Sequence, residues 1–126
     1  MDREPTIRTV LLPKDTNGNG TIFGGVILSH IDLAGGVEAK KHTYHRVVTV
    51  SMNEVVFKHP VLVGELVSFY TSTTRIGRTS VTVHVDVESD RGGQRVPVTQ
   101  ADLTYVAIDD TGRPVPIKPE NPSNAV

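Results

Sequence analysis

At 126 residues the chain is sized for one domain, large enough to bury roughly two-thirds of the surface that its unfolded form exposes. Thirteen Lys and Arg against fourteen Asp and Glu leave a formal net charge of -1, so no global field draws it to nucleic acid or an anionic membrane surface, and the lack of cysteine removes disulfides, thiolate metal sites and a Cys nucleophile. The opening MDREPTIRTV is polar and charged, and no window approaches about eighteen apolar residues, so neither a signal peptide nor a membrane span is expected and a cytoplasmic location is.

Residues 6–12 (TIRTVLL) form a short apolar-rich run stopped by Pro13, which predicts a strand entering a loop. After the Asn- and Gly-rich stretch 15–25 (DTNGNGTIFGG), residues 24–42 carry Ile27, Ile31 and Ala34 at three- and four-residue spacing and predict one helix. Gly35 and Gly36 lower its intrinsic propensity. Beyond it the period changes to two. Strands are predicted over 46–57, 65–75, 79–89 and 96–108, all rich in β-branched or aromatic residues. The third of these alternates most cleanly, with Val81, Val83, Val85 and Val87 on a packed face and Thr82, His84, Asp86 and Glu88 on a polar one. The tail 114–126 holds four of the eight prolines and is expected to be extended or frayed. Strand, helix and four strands make an α+β layout, one long helix covering a five-stranded antiparallel sheet. A single helix covers only part of such a sheet, so pairing with a second copy is expected.

Three chemistries compete for the stretch 15–25. Asp15, Asn17, Asn19, Gly20 and Ile22 match positions of a calcium-binding EF-hand loop, but the closing Glu is replaced by Val26 and the preceding segment is strand-like with Pro13 in it. The glycines miss both the P-loop and the dinucleotide spacing. The third reading places Gly24 and Gly25 at the helix start, where free amides and the positive end of the dipole can hold a developing oxyanion. Eight residues past Gly24 is Asp32, whose helix neighbours Leu28, Gly35, Gly36 and Ala39 are apolar or small. A carboxylate on that face needs either a local amide or Lys partner or a function, and spacing alone leaves both readings open.

DTNGNGTIFGGVILSHIDLAGG resembles the bacterial acyl-CoA hydrolase family of hot-dog fold thioesterases, as do RVVTVSMNEVVFKHPVLVGE and RIGRTSV further on, so that the likeness spans residues 6–117. The resemblance implies an antiparallel sheet wrapped around a long helix, dimers joined edge to edge and trimers of such dimers. It also implies hydrolysis of acyl-CoA thioesters to free acid and coenzyme A without a metal or other cofactor. It assigns Asp32 as general base or nucleophile, Asn17 as a group that orients water or thioester and faces the Asp of another subunit, and Thr49 as a positioning hydroxyl. The amides of Gly24 and Gly25 would polarise the carbonyl. Gly18 and Thr21 depart from the family's pattern. For the coenzyme A phosphates, the basic, hydroxyl-rich turn of Arg75, Gly77, Arg78, Thr79 and Ser80 is one candidate, and Lys58 with His59 a second. With the family set aside, an ordinary solvated turn is the preferred reading of each.

The five histidines (His30, His42, His45, His59 and His84) show neither the His-x-x-x-His spacing with a Glu base nor a paired carboxylate pattern, so no metal is expected. His42 and His45 read as charge compensation at the helix end. Two rivals to the thioesterase reading are a hot-dog enoyl thioester hydratase, which calls for a paired Asp and His, and a non-catalytic module that binds acyl-CoA or coenzyme A.

Overall fold

The computed structural model describes residues 3–118. Its elements follow the predicted order: β1 (Ile7–Val10), α1 (Gly24–Ala39), β2 (Arg46–Met52), β3 (Leu66–Ile76), β4 (Ser80–Arg91) and β5 (Gln94–Ile108). The sheet order is β1-β3-β4-β5-β2, with every neighbouring pair antiparallel. The alternation in β4 is realised: Val81, Val83, Val85 and Val87 are buried against α1, together with Phe69 of β3 and Leu103 of β5. From the helix come Ile27, Ile31 and Ala34, the three residues whose spacing predicts it. Each fully buried aliphatic or Phe side chain in this layer contributes about 1.5–3 kcal/mol relative to exposure.

Some boundaries move for identifiable reasons. The run read as a strand over 46–57 ends at Met52 because Asn53 turns to lock onto β5. Its Nδ2 donates to Asp102 Oδ2 (3.2 Å), and its Oδ1 accepts from the Asp102 amide (2.8 Å). Just before that end, the pairing of β2 with β5 slips between Thr49 and Ser51, an irregularity of the bulge kind. α1 stops at Ala39, and Lys40–His42 form a 3-10 turn in which Lys40 Nζ donates to the carbonyl of His45 at 2.6 Å. His42 stands in that turn just past the helix end, and its Nε2 lies 2.8 Å from Thr73 Oγ1. The start of the tail is not frayed. The Val115 amide donates to Ala107 O (2.9 Å), the Ile117 amide to Arg78 O (2.8 Å), and the Ile117 side chain is buried. The rest of that predicted tail, 119–126, lies outside the described residues.

A buried carboxylate fixes the far end of α1. Glu38 accepts from Lys41 Nζ (2.9 Å), Thr71 Oγ1 (2.9 Å) and Thr73 Oγ1 (2.8 Å), tying helix to β3. Burial alone would push its pKa up, but these donors and the Lys41 charge outweigh it and hold the carboxyl below its ordinary value.

On the polar face the paired-carboxylate pattern absent from the histidine spacing exists in three dimensions. His84 Nδ1 lies 2.7 Å from Asp102 Oδ1 and its Nε2 3.0 Å from Asp86 Oδ1, while Arg3 faces Asp86 at 3.1 Å. Burial works to lower the His84 pKa, yet the hydrogen bonds and charges of Asp102 and Asp86 prevail and raise it. A folded-state pKa above the unfolded one gives stabilisation that is complete below about pH 6.5 and lost as pH rises through the folded value. Melting curves of the wild type and His84→Gln should therefore differ most in mildly acidic buffer and converge above the raised value. A gap that widened with rising pH would contradict this.

Candidate active site

Asp32 sits about two turns into α1, where two strands reach it. Thr49 of β2 and Tyr105 of β5 are cross-strand partners, and both hydroxyls converge on this residue. Thr49 Oγ1 donates to Asp32 Oδ1 at 2.6 Å. The Tyr105 hydroxyl donates to the Asp32 main-chain carbonyl at 2.7 Å and lies 3.2 Å from Oδ1. Burial, and after it the negative charge of Asp32, push the Tyr105 phenol well above its ordinary pKa, so it stays protonated as a donor.

Gly35 makes that approach possible. A Cβ there would overlap the Tyr105 hydroxyl and stand 3.0 Å from Cζ of the ring. A glycine that weakens the helix by propensity is the opening that lets a phenol close against its backbone. Tyr105 is absent from the residues singled out by sequence. The signal was available: it occupies an inward position of β5, and a buried tyrosine needs a partner for its hydroxyl.

From this point a groove of about 760 Å³ runs along α1, with Asp32, Leu33, Gly36 and Val37 on the helix side and Val47 and Thr49 on the strand side. Lys40 and Arg46 also line it. Leu33 and Val37 are exposed, as are Val48 and Val50 of the edge strand β2. One chain thus leaves an apolar surface beside a carboxylate.

The predicted oxyanion donors lie elsewhere in the same chain. Gly24 and Gly25 open α1, whose N-terminus has no side-chain cap and no acidic residue in its first turn. The exposed rings of Phe57 and Phe23 pack beside these glycines. Eight helical residues separate Gly24 from Asp32, an axial distance of about 12 Å. The two cannot act on one carbonyl within one chain.

Asn17 sits in a small loop closed by the Thr16–Ile22 bridge and pinned to the next connection by the Ile22 amide donating to Val61 O at 2.8 Å. Its Nδ2 donates to Thr21 Oγ1 (2.7 Å) and its Oδ1 accepts from the Asn19 amide (2.9 Å). Thr21, one of the departures from the family pattern, is thus what orients the Asn17 amide. Gly18 and Gly20 adopt φ of 88° and 83°, the left-handed conformation that the turn requires, and a Cβ at either would meet open space. Asp15 serves the same loop: Oδ2 accepts from the Leu12 amide at 3.0 Å, the main reason its pKa is lowered.

The two candidate coenzyme A clusters are separated. Arg75, Gly77, Arg78, Thr79 and Ser80 surround the β3–β4 turn, closed by the Gly77 amide donating to Ser80 O at 2.8 Å. Ser80 adjoins Val81, the cross-strand partner of Tyr105, so this turn borders the Asp32 end of the sheet. Lys58 and His59 lie near the start of β5, with the Lys58 amide on Val98 O and His59 Nδ1 on Pro97 O, both at 2.8 Å. Pro97 pairs with Glu88, eight residues along β4 from Ser80, or about 26 Å. One chain cannot bring both clusters to one phosphate.

The sequence model of the Thioesterase superfamily matches residues 19–96. Acyl-CoA thioester hydrolase YciA of Salmonella typhimurium is 39% identical over 126 residues, covering 93% of this chain and 95% of that protein. The hexameric hotdog fold thioesterase of Campylobacter jejuni superposes with a TM-score of 0.84 at 44% identity, covering 92% of this chain and 91% of that one. An acyl-CoA hydrolase from Staphylococcus aureus, solved in complex with butyryl coenzyme A and coenzyme A, superposes with a TM-score of 0.81 at 30% identity over 87% of this chain and 68% of that one. The fold derived above is the hot-dog fold.

Gly35→Ala should lower the melting temperature by several degrees, the effect of about 1–3 kcal/mol of overpacking in a domain of this size. Adding Tyr105→Phe should restore part of the loss. Differential scanning calorimetry of the single and double variants checks both.

Proposed function

The chain belongs to the Thioesterase superfamily, and on that footing we propose that it is a homo-oligomeric acyl-CoA thioester hydrolase, releasing a free acid and coenzyme A. The observation that carries the reading is Asp32, held by the Thr49 hydroxyl at 2.6 Å at the side of an apolar-walled groove. Such a carboxylate can take a proton from water as the water oxygen attacks the thioester carbonyl. It can also attack that carbon itself to give a mixed anhydride, which water then opens. In either case the carbon–sulfur bond breaks and the leaving thiolate takes up a proton. Water is the only co-reactant, and the reading needs no metal or other cofactor.

The oxyanion that develops on the carbonyl needs donors within about 3 Å, and the Gly24 and Gly25 amides of the same chain are too distant. The reading therefore pairs Asp32 and Thr49 of one copy with Asn17, Gly24 and Gly25 of another. The exposed Val48 and Val50 on the free edge of β2 support such pairing, as does the hexameric state of the similar thioesterases from Campylobacter jejuni and Yersinia pestis. Of the two anion-binding candidates, the Arg78 and Ser80 turn is favoured because it borders the Asp32 end of the sheet.

Among the described residues no histidine is hydrogen-bonded to Asp32, which weighs against the hydratase alternative. His30 stacks on Phe69 with ring centroids 5.6 Å apart and turns its Nδ1 to the Val26 carbonyl, while His84 pairs with acids on the opposite face of the sheet. A non-catalytic binding module is separated from an enzyme by measuring free thiol released from a panel of acyl-CoAs.

Asp32→Ala should abolish turnover in that assay while circular dichroism and assembly size stay those of the wild type. Near wild-type release by the folded variant would remove Asp32 from the chemistry. Asn17→Ala should lower kcat by about 10²- to 10⁴-fold, the range for a lost positioning or oxyanion group. An unchanged rate would make the 15–23 loop purely structural.

A further inference from the structure

Resting on the hydrolase reading, we infer that Tyr105 is a positioning residue for Asp32: its hydroxyl, with that of Thr49, clamps Oδ1 and leaves Oδ2 as the working oxygen. The two hydroxyls approach Oδ1 at 2.6 and 3.2 Å, whereas Oδ2 has no hydrogen-bond partner among the described residues. The tyrosine does more than bond the carboxylate. Its shorter contact, 2.7 Å, is to the main-chain carbonyl of the same residue. A mid-helix carbonyl has a second lone pair to offer such a donor. One hydroxyl therefore references both the backbone turn that carries Asp32 and the oxygen at the end of its side chain.

Three features mark this as positioning rather than acid-base chemistry. Tyr105 is 2% exposed, so its hydroxyl is fixed by packing on the strand rather than by solvent. Its phenol is driven up by burial and by the Asp32 charge, which makes it a poor acid toward a departing thiolate and a dependable donor toward a carboxylate. Gly35 is open only to this hydroxyl, since any side chain there would displace it. A carboxylate oxygen held by the Thr49 hydroxyl and by the longer limb of the three-centre bond from Tyr105 keeps its rotamer when substrate enters, and its free oxygen meets the reacting atom in one orientation.

Tyr105→Phe keeps the ring in the core and deletes only the hydroxyl. We expect kcat for a given acyl-CoA to fall about 10- to 100-fold, the cost of a misplaced reacting group. KM should stay within about threefold, because Tyr105, although it lines the groove, is 2% exposed and gives its hydroxyl to Asp32, and the ring that meets the groove is kept in Phe. Gly35→Ala, assayed below its melting temperature, retains the phenol but pushes it away and should give the same loss in kcat alone. A folded Tyr105→Phe enzyme with kcat within twofold of wild type would overturn the inference, as would equal losses in kcat and 1/KM or the failure of both variants to fold. If the wild type itself releases no thiol from any acyl-CoA, it is the hydrolase reading that fails instead.

Discussion

The hydrogen bond from the Tyr105 hydroxyl to the Asp32 carbonyl fixes where α1 lies on the sheet, and the candidate site inherits its geometry from that contact. A buried phenol left without a partner costs about 1–3 kcal/mol, so this bond adds to the packing of Ile27, Ile31 and Ala34 in holding the helix on the sheet. Gly35 lets the backbone come that close, and Glu38, bonded to Thr71 and Thr73, holds the next turn against β3. With the helix pinned at both places, Asp32 has little freedom except at Oδ2. The same docking leaves Leu33 and Val37 uncovered, which makes the groove apolar beside its single carboxylate.

Much of this was legible in the sequence. Period-two alternation in β4 and the Ile27, Ile31 and Ala34 spacing in α1 are direct consequences of burial, and both faces came out as read. Asp32 and Thr49 were singled out as site residues, and the structure brings their side chains together across seventeen positions of chain. What escaped were features that depend on the meeting of distant segments. The end of β2 is set by Asn53 finding Asp102, the first part of the tail by Ile117 finding a place in the core, and the partner of Tyr105 by a glycine, Gly35, far upstream. The described start of the tail is extended, as one of the two expectations had it, but not frayed, because proline content reports a lack of regular ladder and not a lack of burial. The histidine reading missed the Asp86 and Asp102 pair for a similar reason, since one of those acids sits on the neighbouring strand.

Separation within one chain organises the rest. The helix N-terminus lies about 12 Å from the carboxylate along the helix axis, and the Lys58 and His59 cluster lies near the far end of β4 from the Arg78 turn. An antiparallel sheet with a free, apolar edge strand offers a way to bring such parts together from two copies without moving any of them. The exposed Phe23 and Phe57 rings beside Gly24 and Gly25 are then surfaces for the second chain or for the acyl group. The 15–23 loop fits this arrangement, with its glycines shaping the turn and Thr21 accepting from the Asn17 amide and fixing its orientation.

Subunit complementation tests that sharing most directly. Asp32→Ala and Asn17→Ala chains are co-expressed, the mixed assemblies are purified, and thiol release from an acyl-CoA is compared with that of each variant alone. A site built from Asp32 of one copy and Asn17 of another leaves one intact site in every mixed dimer, so activity should recover to about a quarter of wild type for random pairing. Mixed assemblies no more active than the average of the two parent variants would contradict a shared site.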